Sequence, residues 1–269
     1  MKICILNSSG NVGKTTITRE VFEPRMNNAK IVEIESYNSS NSAFGLDTVK
    51  FEGAEEFDVL YEYIINDDDV IFDIGASEIA NFFTNAEEYT GAIDMFDYFI
   101  IPTIADAKMM EDTAKTILFL RSQDISDEKI KVIFNNVERN VEKEFAALLN
   151  FDFNFDTSLF IKKSNFFKDL SLMKTTFLKV YNPNKKYYRE ILLRENEPKA
   201  KKTLLKKDLI NMGAEKKIKE LDKLFTIVTG IEVDSLSTFS FSSAKKEKQK
   251  SVKKEITEDT EINEDDEEL

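Results

Sequence analysis

Lys14, Thr15 and Thr16 follow Gly13 directly in the stretch "ICILNSSGNVGKTTITREVF", which runs from Ile3 to Phe22. A lysine and a hydroxyl residue in that order, between an apolar run and a helix-like segment, are the parts of a loop that holds phosphate. In such a loop consecutive backbone N–H groups and the start of the helix face the phosphates. Lys14 would bridge β- and γ-phosphate oxygens, and the Thr15 hydroxyl would ligate Mg²⁺. Gly10 and Gly13 would let the backbone turn and approach a ligand closely. The candidate loop comprises Gly10, Asn11, Val12, Gly13, Lys14, Thr15 and Thr16. The general pattern G-x-x-x-x-G-K-[ST] opens with glycine, and here Ser8 holds that place. A second requirement is an acid at the end of another strand. "DVIFDIGAS" supplies Asp73 after Val70, Ile71 and Phe72, with Gly75 beyond it. Such a Walker B acid would hold Mg²⁺ through water.

Composition narrows the remaining chemistry. The chain of 269 residues contains no histidine, which excludes Ser-His-Asp and Cys-His catalysis and histidine metal sites. Cys4 is the only cysteine, so a disulfide within the chain is excluded, which suits a reducing cytosol. The net charge of -13 argues against wholesale attraction to nucleic acid; such contact needs a local basic patch. No apolar stretch approaches the roughly 20 residues of a membrane span. The start goes straight into Lys2-Ile3-Cys4-Ile5-Leu6, so no signal peptide is expected and a cytoplasmic place is.

The elements that must position these residues alternate. Strands are expected at Ile3–Leu6, Lys30–Glu35, Val70–Ile74, Tyr98–Pro102, Lys131–Phe134 and Ser158–Ile161. Helices are expected at Lys14–Phe22, Ala54–Asn66, Glu78–Ile93, Ala107–Arg121 and Glu138–Leu149. In the fourth of these Met110, Ala114, Ile117 and Leu118 share a face. This order predicts an α/β fold with a mostly parallel sheet flanked by helices. Further helices are expected near 165–179, 185–194, 203–211 and 214–228. Three parts follow: a P-loop nucleotide-binding domain over 1–164, a mainly helical part packed on it over 165–242, and a disordered charged tail over 243–269.

With these motifs in place, the chain resembles the deviant-Walker P-loop ATPases of the ParA/MinD type. It is most similar to the plasmid stabilisation proteins StbB, also called TraL-like. "LNSSGNVGKTTITREVFEPRM", including Pro24 and Arg25, carries most of the match, and the ParA-type likeness extends over roughly residues 1–165. The resemblance implies ATP and Mg²⁺ as ligands, with Lys14, Glu35 and Asp73 as the catalytic set and Thr15 and Asp73 around the metal. Glu33 and Glu35 in "IVEIESYN" stand where the family has acids that position water. Asn135, after "KVIF", matches a position that reads the adenine edge, with Asn136 beside it. The family's signature lysine is replaced by Ser9, and its second loop glycine by Asn11. Hydrolysis should therefore be slow, or another cation must substitute; Arg25, Lys50 and Lys108 are the candidates.

The resemblance also implies a nucleotide-dependent homodimer, a small DNA-binding adaptor, a role in plasmid partitioning or maintenance, and a cytoplasmic, nucleoid-associated location. Lysines interleaved with aromatics over 162–189, and a second lysine run over 199–223, permit non-specific DNA contact, which would be steeply salt-dependent; amphipathic helices with solvated lysines and aromatics facing the core are the favoured reading of the same stretches. Ile218, Leu221, Leu224, Phe225 and Val228 share a helical face; packing against the domain is expected there rather than a membrane. Two alternatives stand beside this reading. One is a small-molecule kinase or ligase with Glu35 or Asp106 as base, and the other is a non-hydrolysing nucleotide-dependent scaffold.

Overall fold

Alternation along short strands decides the architecture. In β1 (Lys2–Ile5) the side chains of Ile3 and Ile5 point to one face, and those of Cys4 and the following Leu6 to the other. All four are fully buried. A strand apolar on both sides belongs inside a parallel sheet covered on both faces. The computed structural model describes residues 1–35, 41–53, 57–66, 69–89 and 91–236. The expected tail at 243–269 lies outside them, as do residues 36–40 after the second strand.

The other strands are β2 (Lys30–Ile34), β3 (Thr48–Phe51), β4 (Val70–Ile74), β5 (Tyr98–Thr103), β6 (Ile130–Val137) and β7 (Phe160–Lys162). Their order is β3-β2-β4-β1-β5-β6-β7, and every pairing among the described residues is parallel. The expected α/β P-loop architecture is thus present. β3 was not anticipated: "TVKF" is only four residues long, half-exposed, and pairs only with β2 among the described strands.

One face of the sheet is covered by α2 (Phe57–Asn66), α3 (Ile79–Ala86), α4 (Ala107–Ser122), α5 (Val141–Glu144) and α6 (Ala146–Leu149). Phenylalanines fill this layer; Phe72 meets Phe96 edge-on at 5.2 Å and Phe134 meets Phe145 at 4.8 Å. A helix over Glu138–Leu149 was expected. It is divided at Phe145 (φ −111°, ψ 20°), whose buried ring packs on Phe134. The expected helix over Glu78–Ile93 is regular only to Ala86; beyond it Gly91 takes φ 86°. In α4 the buried face is Thr113, Thr116, Ile117 and Leu120, while Leu118 is 52 % exposed, so the expected face is rotated.

The other face is covered by α1 (Lys14–Ile17), α7 (Asn165–Leu172), α8 (Phe177–Val180), α9 (Tyr187–Leu192) and α10 (Pro198–Thr229). α1 is not a plain helix to Phe22 as expected. It passes into a π-helical turn over Thr18–Phe22 and then a 3₁₀ turn over Glu23–Arg25. α10 replaces two expected helices with one. Gly213 reads as a break, since glycine destabilises a helix interior by about 1 kcal/mol. Here the ring of Phe166 lies against Gly213, where an added Cβ would come within 2.9 Å of it. Packing outweighs propensity, and the helix continues for 32 residues. Ile218, Leu221, Leu224, Phe225 and Val228 are all buried against the sheet layer, as expected of a packing face.

Candidate phosphate-binding site

Parallel strands place their C-terminal ends on one edge, and loops there converge. The loop after β1, the ends of β2 and β4, and the residues following them line a cleft of about 510 Å³. Gly10, Asn11, Gly13, Lys14, Thr15 and Thr16 form one wall, and Glu33, Glu35, Asp73 and Gly75 form the other. Of the residues expected to form the loop, only Val12 turns its side chain inward, fully buried.

Two left-handed residues shape the loop. Asn11 has φ 60° and Gly13 has φ 102°. Gly13 has a further reason to lack a side chain: a Cβ there would collide with the Asn135 amide. Asn135 Nδ2 donates to the Val12 carbonyl at 2.9 Å, so this side chain is engaged by the loop itself. Gly10 has nothing near its missing Cβ, so close packing does not explain that glycine.

Lys14 folds back across the loop, with Nζ 3.1 Å from the Ser9 carbonyl and 3.3 Å from that of Asn7. Burial lowers its pKa, against the opposing pull of Asp73 and Glu35. Asp73 is paired in register with Glu33 across β4 and β2, so both carboxylates leave the same face of the sheet. Burial raises the Asp73 pKa to about 6, Glu33 adds to the rise, and Lys14 and the hydroxyls of Thr15 and Thr18 oppose it. Thr18 Oγ1 donates to Asp73 Oδ2 at 3.1 Å. Glu33 is buried and accepts from the Asn41 backbone amide at 2.6 Å, tying the start of the 41–44 turn back to the strand. Glu35 lies across Gly75, whose missing Cβ would be 2.6 Å from Glu35 Oε2. The expected acids Glu33, Glu35 and Asp73 therefore line one cleft with Lys14.

Residues not anticipated from the sequence anchor the other side of the loop. Asn7, fully buried, donates through Nδ2 to the Pro102 carbonyl at 2.8 Å and to Thr113 Oγ1 at 3.0 Å. Its Oδ1 accepts from the Ser9 amide at 2.8 Å. Ser8 Oγ contacts Thr116 Oγ1 at 3.0 Å and donates to the Asp112 carbonyl at 3.1 Å. Ser9 Oγ donates to Asp112 Oδ2 at 3.0 Å. Lys108 Nζ lies 2.6 Å from the same oxygen and holds that carboxyl below its usual range. A signal existed: Asp112, Thr113 and Thr116 put three polar groups on the inner side of an amphipathic helix. Asp106 caps α4 by accepting from the Met109 amide at 3.1 Å.

The candidate cations separate cleanly. Arg25, a candidate cation for the site, is buried and only 8 % exposed. Its Nε donates to Asp222 Oδ1 at 2.8 Å, and its other nitrogens reach the carbonyls of Glu20, Val21 and Ile218. It joins the first helix to α10 and does not face the cleft. Lys50 lies on β3. Lys50 stands in register with Glu33, and Lys108 reaches Ser9 of the loop through Asp112.

No family model and no curated protein matches this sequence. Solved structures do. An ATP complex of a McdA variant from Cyanothece superimposes with a TM-score of 0.53 at 11% identity, over 87% of this chain and 97% of that one. The septum site-determining protein MinD of Pyrococcus horikoshii with Mg-ADP aligns over 86% of this chain and 99% of that one, at 14% identity and a TM-score of 0.46. A putative plasmid partition protein of Borrelia burgdorferi bound to AMPPNP aligns over 77% and 98%, at 14% identity and 0.45. The match to McdA establishes a shared fold.

Proposed function

We propose that this chain is an ATP-binding switch of the ParA/MinD type that serves partitioning or maintenance of plasmid DNA. The observation that carries the reading is the convergence of Lys14, Asp73, Glu33 and Glu35 on one cleft at the strand ends. Buried carboxylates around a partly desolvated lysine suit a ligand that brings both negative phosphate and a divalent cation. Lys14 would leave the Ser9 and Asn7 carbonyls for phosphate oxygens. Thr15 would hold Mg²⁺ directly and Asp73 through water; the cation offsets phosphate charge. Glu33 and Glu35 are the two candidates to orient water.

Residues 1–164 act as the nucleotide-binding domain and 165–242 as a helical part upon it. The protein works in the cytoplasm on the nucleoid, as a nucleotide-dependent homodimer with a small DNA-binding adaptor and non-specific DNA contact through its lysine-rich helices. Hydrolysis is slow, because Ser9 gives its hydroxyl to Asp112 and supplies no charge. That bond equally favours a second reading, a scaffold that binds nucleotide and does not turn it over.

ATP binding and turnover, measured with and without Mg²⁺, plasmid DNA and the products of neighbouring genes, separate these. Failure of the native protein to bind ATP sinks both readings. Binding without turnover under every condition leaves the scaffold. Turnover stimulated by DNA or by a neighbouring gene product supports the switch.

A further inference from the structure

Charge is divided unevenly along this chain. Residues 1–161 carry 13 Lys and Arg against 30 Asp and Glu, whereas residues 162–236 carry 18 against 10. The second segment contains α7 to α10, so its basic excess lies on one side of the sheet. The outer face of α10 concentrates it. Leu205, Leu209 and Met212 are 50%, 57% and 57% exposed and fall on one stripe at helical spacing. The same stripe continues as Lys216, Lys219 and Lys223, all exposed. A shallow depression of about 480 Å³ is lined by Met212, by Lys185 and these three lysines, and by Glu215 and Glu220; Glu215 pairs with Lys185 and Lys219, and four lysines against two glutamates leave the depression cationic. Half apolar and half cationic, this stripe fits an acidic segment with occasional apolar side chains.

The chain carries such a segment. "EITEDTEINEDDEEL", residues 255–269, has nine Asp and Glu, no Lys or Arg, and apolar Ile256, Ile262 and Leu269. Its point of departure lies beside the stripe. Gly230 closes α10 with φ 72°, and the chain then turns back: Ser235 Oγ donates to Asp222 Oδ1 at 2.6 Å. Lys219 is held above its usual pKa mainly by its bond to Glu215, and Asp234 is near enough to add a smaller share. The nineteen residues after Leu236, up to and including Glu255, reach about 60 Å when extended. That exceeds the length of α10, about 48 Å.

We infer that residues 255–269 dock on the Leu205–Lys223 stripe of α10 in their own chain and shield its lysines from external polyanions. The contact is electrostatic, so salt weakens it.

Zero-length carbodiimide cross-linking of the dilute full-length protein, at low salt and without nucleotide, tests the contact. Mass spectrometry should find acids of 255–268 joined to Lys216, Lys219 or Lys223 within one chain, and the links should vanish at high salt. Links between differently isotope-labelled copies would make a second chain the occupant and overturn the inference. Links placed chiefly on lysines elsewhere would also overturn it. Heparin affinity tests the shielding. A chain ending at Lys254, and a full-length chain with the acids of 255–268 changed to amides, should each bind at least about fivefold more tightly than the native chain. Lys216→Gln, Lys219→Gln and Lys223→Gln together should erase that gain. Equal affinity with and without the acidic block refutes the shielding. Neither measurement contains ATP, so its failure is distinct from a failure of the nucleotide reading.

Discussion

The phosphate loop has two flanks built on opposite principles. On the α4 side, Asn7, Ser8 and Ser9 give every side-chain polar group a partner, and Asp112 takes both a hydroxyl and an ammonium. On the β2–β4 side, Asp73 and Glu35 act on Lys14, Glu33 stands beside Asp73 in the same cleft, and burial raises the Asp73 pKa to about 6. The first flank is satisfied without any ligand. The second is electrostatically loaded and gains when charge enters the cleft. The contrast shows which part of a site is scaffold and which part answers to its ligand.

Asp73→Asn should show the contrast most strongly. A carboxyl whose pKa rises on folding favours the folded state below its unfolded value near 3.8, and that advantage is lost as pH climbs through about 6. At pH 8 the variant without nucleotide should therefore be more stable than the native protein by about 3 kcal/mol. Below pH 4 the gain should vanish. Denaturant melts at the two pH values measure it, and a pH-independent difference would mean that the flank is not loaded. Lys14→Ala should weaken ATP binding about a hundredfold, by removal of charge-assisted contacts. Calorimetric titration reads this, and unchanged affinity would remove the lysine from the site. Asp112→Ala should destabilise by about 2 kcal/mol, since Ser9 and Lys108 both lose their acceptor. The loss should be the same at pH 6 and pH 8, because the Asp112 carboxyl is already ionised across that range. Thr113→Val should be smallest, about 1 kcal/mol, with ATP affinity nearly unchanged. A large affinity loss there would show that the scaffold flank also senses ligand.

Much of this was legible in the sequence, and the reasons are specific. Lys14, Thr15 and Asp73 announce themselves because their chemistry requires a local pattern, and a buried parallel strand such as Val70–Ile74 reads as an unbroken apolar run. Asn7, Thr113 and Thr116 do not, because their partners lie about a hundred residues away and no local pattern encodes them. Arg25 looked like a loop cation because its acceptor, Asp222, is equally remote. The single α10 was obscured by Gly213, whose tertiary contact with Phe166 cancels a local warning. The short strand β3 lies at an edge, where weak alternation is enough.

The π turn at Thr18–Phe22 has one more consequence. A π turn amounts to one residue inserted into a regular helix, which advances the phase of all that follows by roughly 100°. Arg19 and Glu20 within it are turned inward as an ion pair, Arg19 resting on the Phe44 ring at 3.9 Å and Glu20 accepting from the Phe177 amide. Five residues beyond Lys14, the chain thus grips both the segment after β2 and the start of α8. A displacement of the phosphate loop along this helix would be carried to both places at once, as a crank turns two shafts.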